Sequence, residues 1–477
     1  MNRKSGVLMH ISSLWGEYSE GSFGDAAKEW IDFLEDSGFS IWQTLPFCLP
    51  DSCNSPYKSF SAFSLNPFFI DLDELYRMGL ITDEEKESAK QTTPYVCEFD
   101  RIKAERLILL KKASQRFNDW EEANLFFEEF PQIANFCTFM ALKSVNNDDS
   151  WPEWKVKETN DDVLKMWKFS QYIFYKQWLK IKEYANQKGI SIIGDIPIYV
   201  DFDSADVWAN PELFELDKEN KPLSVAGVPP DYFCEDGQLW GNPLYNWDRM
   251  KKDGYSWWCE RMRFMTKLFD GVRIDHFRGI ESYYCVPANE KNAKNGEWKK
   301  GPGMDFINEI KKVCADKLII AEDLGDITKE VHELVKKSGF PGMRVLQFAF
   351  LGDENSPHLP HNYENNTVAY TGTHDNNTIL GFVWEIDENS RRRLFDYCGY
   401  EGNDINGCYD SIFRTMFESS AGILILPVQD LLLYGSDTRL NTPGKSDGNW
   451  GFRVTKNQID MIDKEKFLRL NRLYARI

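Results

Sequence analysis

The 477-residue sequence lacks several things, and each lack narrows what the chain can be. No stretch approaches the ~20 consecutive apolar residues that a membrane-spanning helix needs. Basic residues are scarce: 56 Lys and Arg against 75 Asp and Glu leave a net charge of −19. Nucleic acid and anionic membrane both attract basic surfaces, so neither is expected as the main partner. The ten cysteines include no Cys-x-x-Cys pair and follow no regular framework. They read as reduced thiols of a cytoplasmic protein, without a structural zinc site. The apolar run near the N-terminus is short and soon interrupted by His10, which does not suit a signal peptide. Neither an internal repeat nor a low-complexity tract is found.

What is present is a rhythm of short apolar runs and helical patterns. Gly6–Ile11 reads as a strand, residues 25–37 as a helix ending at Gly38, and Phe39–Pro46 as a second strand, which together make a βαβ unit of a parallel sheet. Residues 50–165 break the rhythm with a Ser/Pro/Phe-rich loop and charged helices, and are expected to form an inserted, mainly helical subdomain. A helix at 163–187 leads to a third strand, Ile190–Val200, carrying Asp195.

Residues 203–250, rich in Pro, Gly, Asp and Trp, show neither helical nor strand period and read as a second insertion, a loop over a groove. Tyr232 and Trp240 would be its contacts with a polymer; the alternative is an ordered surface loop with buried aromatics. Further strands are expected at 271–275, 317–322, 343–350, 367–375 and 421–428, separated by helices at 304–315 and 328–338, with a last helix at 464–475. Eight strands alternating with helices give the count of a (β/α)8 TIM barrel, one catalytic domain over 1–477 with insertions after strands two and three.

Three of these strands deliver carboxylates to their C-terminal ends. Gly271-Val-Arg-Ile-Asp-His-Phe-Arg-Gly279 brings Arg273, Asp275, His276 and Arg278 to one place, and burying such groups without partners would cost several kcal/mol each. Guanidinium groups on either side would keep Asp275 ionised. Glu322 and Asp323 follow the fifth strand, and His374 and Asp375 the seventh. Two carboxylates of opposite protonation state are what cleavage of an acetal requires. Asp275 suits the nucleophile. Glu322 suits the acid, with its pKa lifted to about 6 by burial and by the charge of Asp323 or Asp375.

His374 reads as a substrate contact. His276 reads equally as a contact or as a satisfied core histidine. A divalent metal held by Asp195, His276, Glu322, Asp323, His374 and Asp375 is the competing reading. It is disfavoured because successive residues on a strand face opposite ways, and because Arg273 and Arg278 would repel a cation.

Several motifs carry a family resemblance: Ser55-Pro-Tyr-Lys-Ser-Phe-Ser-Ala-Phe63, Gly227-Val-Pro-Pro-Asp-Tyr-Phe233, Gly241-Asn-Pro-Leu-Tyr245, Arg273-Ile-Asp-His276, Ala321-Glu-Asp-Leu-Gly325, Gly372-Thr-His-Asp-Asn376 and Asn441-Thr-Pro-Gly444. With them the chain resembles the 4-α-glucanotransferases of glycoside hydrolase family 77, the amylomaltases or disproportionating enzymes of the α-amylase clan. The resemblance implies Asp275 as nucleophile, Glu322 as general acid/base and Asp375 as transition-state stabiliser. It also implies that Arg273, His374 and either Asp195 or Asp203 hold the donor sugar, and that Tyr57, Trp240 and Asn441 line the groove.

Its implied partners are α-1,4-glucans and maltooligosaccharides, with glucose as acceptor or product, and no metal or organic cofactor. A hydrolase acting on the same glucans, or a non-catalytic glucan-binding protein on a decayed barrel, are the alternatives. The chain departs from the family pattern at residues 11–18, at Asn377 and at Gly451, none of which carries a catalytic group.

Overall fold

The computed structural model describes residues 3–230, 235–402, 404–445 and 447–477. Eight parallel strands close into a barrel: β1 (Lys4–Leu8), β2 (Ile41–Gln43), β3 (Ser191–Ile196), β4 (Gly271–Ile274), β5 (Leu318–Ala321), β6 (Gly342–Val345), β7 (Thr367–Tyr370) and β8 (Ile423–Pro427). Each pairs with its sequence neighbours, and β1 pairs with β8 to close the ring. The sequence reading of a (β/α)8 barrel is therefore the observed fold.

The barrel interior is a packed core of its own. Leu8, Ile41, Ile193, Ile320, Met343, Val368, Tyr370 and Ile425 fill it, as the layered inward side chains of such barrels do. The Tyr370 hydroxyl donates to Gln43 Oε1 at 2.9 Å inside the barrel, so this polar group is buried without a penalty. Outside, the helices bury apolar stripes against the strands. Helix Asp25–Asp36 turns Ala27, Trp30, Ile31, Phe33 and Leu34 inward. Helix Lys329–Ser338 begins at a Thr328 N-cap and stops at Gly339, whose φ of +73° suits a residue without Cβ.

Between β2 and β3 the chain forms helices Phe99–Arg116, Trp120–Glu129, Pro131–Val145 and Asp161–Gln187. The last of these, 27 residues long, starts where Asn160 accepts from Val163 N, and packs Phe174, Trp178 and Ile181 inward. Phe23, Phe47, Phe174, Trp178 and Phe269 then interlock, with Phe47 and Trp178 edge to face at 4.6 Å between centroids. Aromatic pairs at such geometry contribute about 1 kcal/mol each beyond their burial. Trp30, Trp42, Trp178 and Trp258 are fully buried, so much of the tryptophan content serves packing.

Two expectations are corrected. Residues 203–250 are not without regular structure: Ser224–Val228 and Gln238–Pro243 pair antiparallel, and Ser282–Pro287 and Glu297–Lys300 extend them into a four-stranded sheet. Strand six does not run to Phe350. It ends at Val345, and Leu346–Ala349 continues as one helical turn, within which Gln347 donates to the Asn377 carbonyl at 2.7 Å.

Candidate active site

Register places the first polar pair. Asp195 on β3 lies opposite Arg273 on β4, and paired residues of parallel strands share a face, so both point into the mouth of the barrel. Arg273 Nη1 donates to Asp195 Oδ2 at 2.6 Å. Asp275 comes directly after the end of β4, where its N–H donates to the Ile196 carbonyl at 2.9 Å, and it accepts from Arg273 Nη2 at 2.7 Å. Arg273 is buried, which by itself would favour the neutral form. The carboxylates of Asp195 and Asp275 outweigh this and hold the guanidinium well above its ordinary range.

The network continues on both sides. The Tyr57 hydroxyl donates to Asp195 Oδ2 at 2.6 Å and lies 3.4 Å from His374 Nδ1, with the two rings stacked at 4.9 Å. His374 Nε2 sits 3.2 Å from Asp375 Oδ2, and Asn441 Nδ2 donates to Asp375 Oδ1 at 2.6 Å. Burial works against charging His374, but the carboxylate of Asp375 wins and raises its pKa. For Asp375 burial is likewise overcome, by His374, Asn441 and Arg273, which bring it down to about 2. The result is a continuous run of polar contacts from Asp375 through His374, Tyr57, Asp195 and Arg273 to Asp275, in which burial pushes the Asp195 carboxyl up against the pull of Arg273.

Glu322 stands apart in protonation. It follows β5, accepts from His276 N at 2.7 Å and from Leu324 N at 2.8 Å, and is only 9% exposed. Burial and then the charge of Asp275 raise it to about 7, against the opposing pull of Arg273. The expectation that Asp323 or Asp375 supplies the lifting charge is corrected: Asp275 contributes more than Asp323. Asp323 faces β6 instead, accepting from Met343 N at 2.6 Å and from Arg344 at 3.2 Å. There it lies so close to Gly342 that a Cβ at that position would come within 2.6 Å of its carboxylate.

Arg278 does not flank Asp275. It turns to the Asp326 carbonyl and lays its guanidinium over Trp298 at 3.9 Å. Side-chain alternation does not reach the two acid–histidine pairs. β7 ends at Tyr370 and β4 at Ile274, so Asp275, His276, His374 and Asp375 all lie in turns. His374 and Asp375 can therefore face each other. His276 adopts φ of +49°, a region uncommon for a residue with a side chain, and this backbone aims its N–H at Glu322.

A cavity of about 200 Å³ reaches Asp275 and His276 between Tyr57, Tyr199, Trp240 and Asn242. Trp240 meets the His276 ring edge to face at 4.8 Å, and burial lowers His276 to about 4, so the imidazole is neutral. Asp203 lies elsewhere, in a neighbouring cleft, tied to Lys143 Nζ at 2.5 Å and to Trp151 N at 3.1 Å. Tyr232 lies outside the described residues. Among the described residues no three His, Cys, Asp or Glu side chains converge as metal ligands.

Sequence reasoning missed three neighbours. Trp450 leans on both Tyr57 and His374, Arg439 donates to the Asp375 carbonyl, and the Met343 sulfur lies 3.3 Å from Arg273 Nε. Arg439 stands two residues before the Asn441-Thr-Pro-Gly motif, the one signal that could have found it.

A family model described as 4-alpha-glucanotransferase, glycoside hydrolase family 77, matches residues 9–458. The chain belongs to that family. It is 43% identical to the 4-alpha-glucanotransferase of Clostridium butyricum, over 98% of this chain and all of the relative. It is 40% identical to the chloroplastic/amyloplastic 4-alpha-glucanotransferase of Arabidopsis thaliana, over all of this chain and 86% of that one. The solved amylomaltase of Streptococcus agalactiae in complex with acarbose superposes with a TM-score of 0.96 at 36% identity, over the whole of both chains. In this 4-α-glucanotransferase the barrel mouth thus gathers Asp195, Arg273, Asp275, Glu322, His374 and Asp375.

Proposed function

We propose that this enzyme moves segments of α-1,4-glucan by double displacement, with Asp275 as nucleophile, Glu322 as acid then base, and Asp375 as stabiliser of the charged transition state. The observation that carries the reading is the contrast between Asp275, clamped by Arg273, and Glu322, lifted to about 7. Asp275 attacks the anomeric carbon of the donor while Glu322 gives its proton to the departing 4-oxygen. The shortened glucan leaves from the acceptor side. The 4-hydroxyl of an acceptor then loses its proton to Glu322 and attacks the same carbon, breaking the bond to Asp275 and restoring both carboxyl groups.

Asp195 supports the donor side. Its side chain is wholly buried, with Oδ2 accepting from Arg273 and Tyr57 and Oδ1 without a hydrogen-bond partner among the described residues, so it acts on the donor by positioning Arg273 and Tyr57. Arg273, His374, Tyr57, Asn441 and Trp240 are read as its companions in holding the donor and lining the groove, and His276, neutral, lines the cavity. Asp203, bound to Lys143, contributes from the neighbouring cleft if the glucan extends there.

The acarbose in the Streptococcus agalactiae amylomaltase supports a sugar oligomer as occupant. Transfer wins over hydrolysis because a sugar hydroxyl held against Trp240 has a large effective concentration relative to water. We also take glucose as an acceptor and product, no metal as required, and the cytoplasm as the location. No helix among the described residues is long and apolar enough to cross a membrane.

Purified enzyme given maltotriose should release glucose and build a ladder of longer oligomers, and should keep that activity in chelator. Reducing ends that rise steadily without a ladder would make it a hydrolase. Binding without turnover would make it a glucan-binding protein.

A further inference from the structure

A cavity of about 500 Å³ shares no lining residue with the one that reaches Asp275, and only its wall residue Arg439 touches the site described above, at the Asp375 carbonyl. Its walls combine three aromatic rings, Tyr95, Tyr434 and Phe452, with the polar ends of Asp437, Arg439 and Gln458. Tyr95 is 58% exposed, an orientation that core packing does not explain. The Tyr434 hydroxyl lies against Gln458, and both residues line the cavity with Tyr95, so hydroxyl and amide groups share its walls with the rings. Asp437 is exposed and makes no ion pair among the described residues.

The walls are fixed by backbone hydrogen bonds rather than by these side chains. Cys97 N donates to the Gly451 carbonyl at 2.8 Å and Arg453 N to the Tyr95 carbonyl at 3.1 Å, beside a bridge between Val96 and Phe452. The shape is therefore preformed, and its size falls in the ~300–1,000 Å³ range of small-molecule sites.

The chemistry of the walls selects the ligand. Aromatic faces take the C–H faces of a pyranose. The wall holds the exposed Asp437 carboxylate and two guanidinium groups, Arg439 and the buried Arg453, whose nitrogens are spent on the Leu14 and Tyr18 carbonyls and on Gln91; the carboxylate and Arg439 remain to grip hydroxyl groups. Arg439 spends Nε on the Asn441 carbonyl at 2.7 Å and one Nη2 hydrogen on the Asp375 carbonyl, and keeps other N–H groups for a ligand.

We propose that this cavity is a second carbohydrate site, separate from the cleavage point, that takes a neutral hexopyranoside of about one or two rings. It rests on the reading that the enzyme meets α-glucans and their short products.

The test uses the full chain carrying Asp275→Ala, so that no turnover occurs, titrated calorimetrically with maltose. Two binding events are expected. Adding Tyr95→Ala and Asp437→Ala should remove one of them, weakening it at least tenfold, and leave the other within twofold. The same two substitutions in the otherwise native enzyme should leave maltotriose turnover at low substrate unchanged, which shows that the fold survives. A single event that ignores both substitutions would overturn the second site while leaving the glucanotransferase reading intact. No binding of maltose or maltotriose at all would overturn both.

Discussion

Replacing Glu322 by Gln should cost activity and return stability, and the amount returned depends on pH. The folded pKa of Glu322, about 7, lies above its ordinary 4.5. Between those values the folded enzyme holds a proton that the unfolded chain has released, so the group's contribution to stability falls as pH rises through this window and is fully lost above 7. One pKa unit corresponds to about 1.4 kcal/mol, so the whole shift amounts to about 3 kcal/mol, of which about 2 to 3 accrue between pH 5 and pH 8.

Glutamine has no such titration. It does set an amide group against either His276 N or Leu324 N, both of which now donate to the carboxylate. That lost hydrogen bond, about 1 kcal/mol, is the same at both pH values and cancels in the comparison. Urea unfolding of native and Glu322→Gln enzyme at pH 5 and pH 8 measures the difference directly. The variant should gain about 2 kcal/mol or more on the native enzyme between the two. A stability difference that does not change with pH would refute the raised carboxyl, and with it the acid role that depends on it.

The same pKa sets the pH dependence of transfer: kcat/KM should fall about tenfold per pH unit above about 7 as Glu322 loses its proton, read from initial rates on maltotriose. Arg273→Met should destabilise the fold by about 3–5 kcal/mol, because Asp195 and Asp275 are left as uncompensated charges at a buried site; denaturant titration checks it. Asn441→Ala removes a 2.6 Å donor from Asp375, so the carboxyl should move up from about 2 toward the usual carboxylate range. The acid limb of kcat should then move to higher pH. Trp240→Ala opens the cavity beside His276, and the share of glycosyl groups lost to water should rise several-fold, counted as new reducing ends per transfer.

How much was legible in the sequence depends on how local each cause is. The barrel was readable because each strand is an apolar run bounded by polar turns, and the acids were readable because they sit directly after those runs. The end of strand six is not legible because a buried apolar run has no period that separates a strand from one helical turn; in the turn at Leu346–Ala349 Gln347 meets the Asn377 carbonyl, thirty residues later. The sheet strand Gln238–Pro243 was invisible since its Gly, Asn and Pro show no alternation, and its pairing is provided by Ser224–Val228.

Within the site, residue types were readable and directions were not. Arg278 looks equivalent to Arg273 in sequence, yet Trp298, twenty residues later, draws it away. His374 and Asp375 escape the alternation of a strand because their strand has already ended. Asp195 and Asp203 could not be separated until Lys143, from an inserted helix, was seen beside Asp203.

If Asp275 forms the bond to the anomeric carbon, the covalent intermediate can be trapped on it. In Glu322→Gln enzyme, α-maltotriosyl fluoride carries a leaving group that needs no acid, whereas the second step lacks its base, so the covalent intermediate should accumulate. Peptide mapping by mass spectrometry should find one maltotriosyl group on the peptide containing Asp275, and none after Asp275→Ala is added. A sugar attached to Asp375 or elsewhere, or fluoride release that persists without Asp275, would contradict the account.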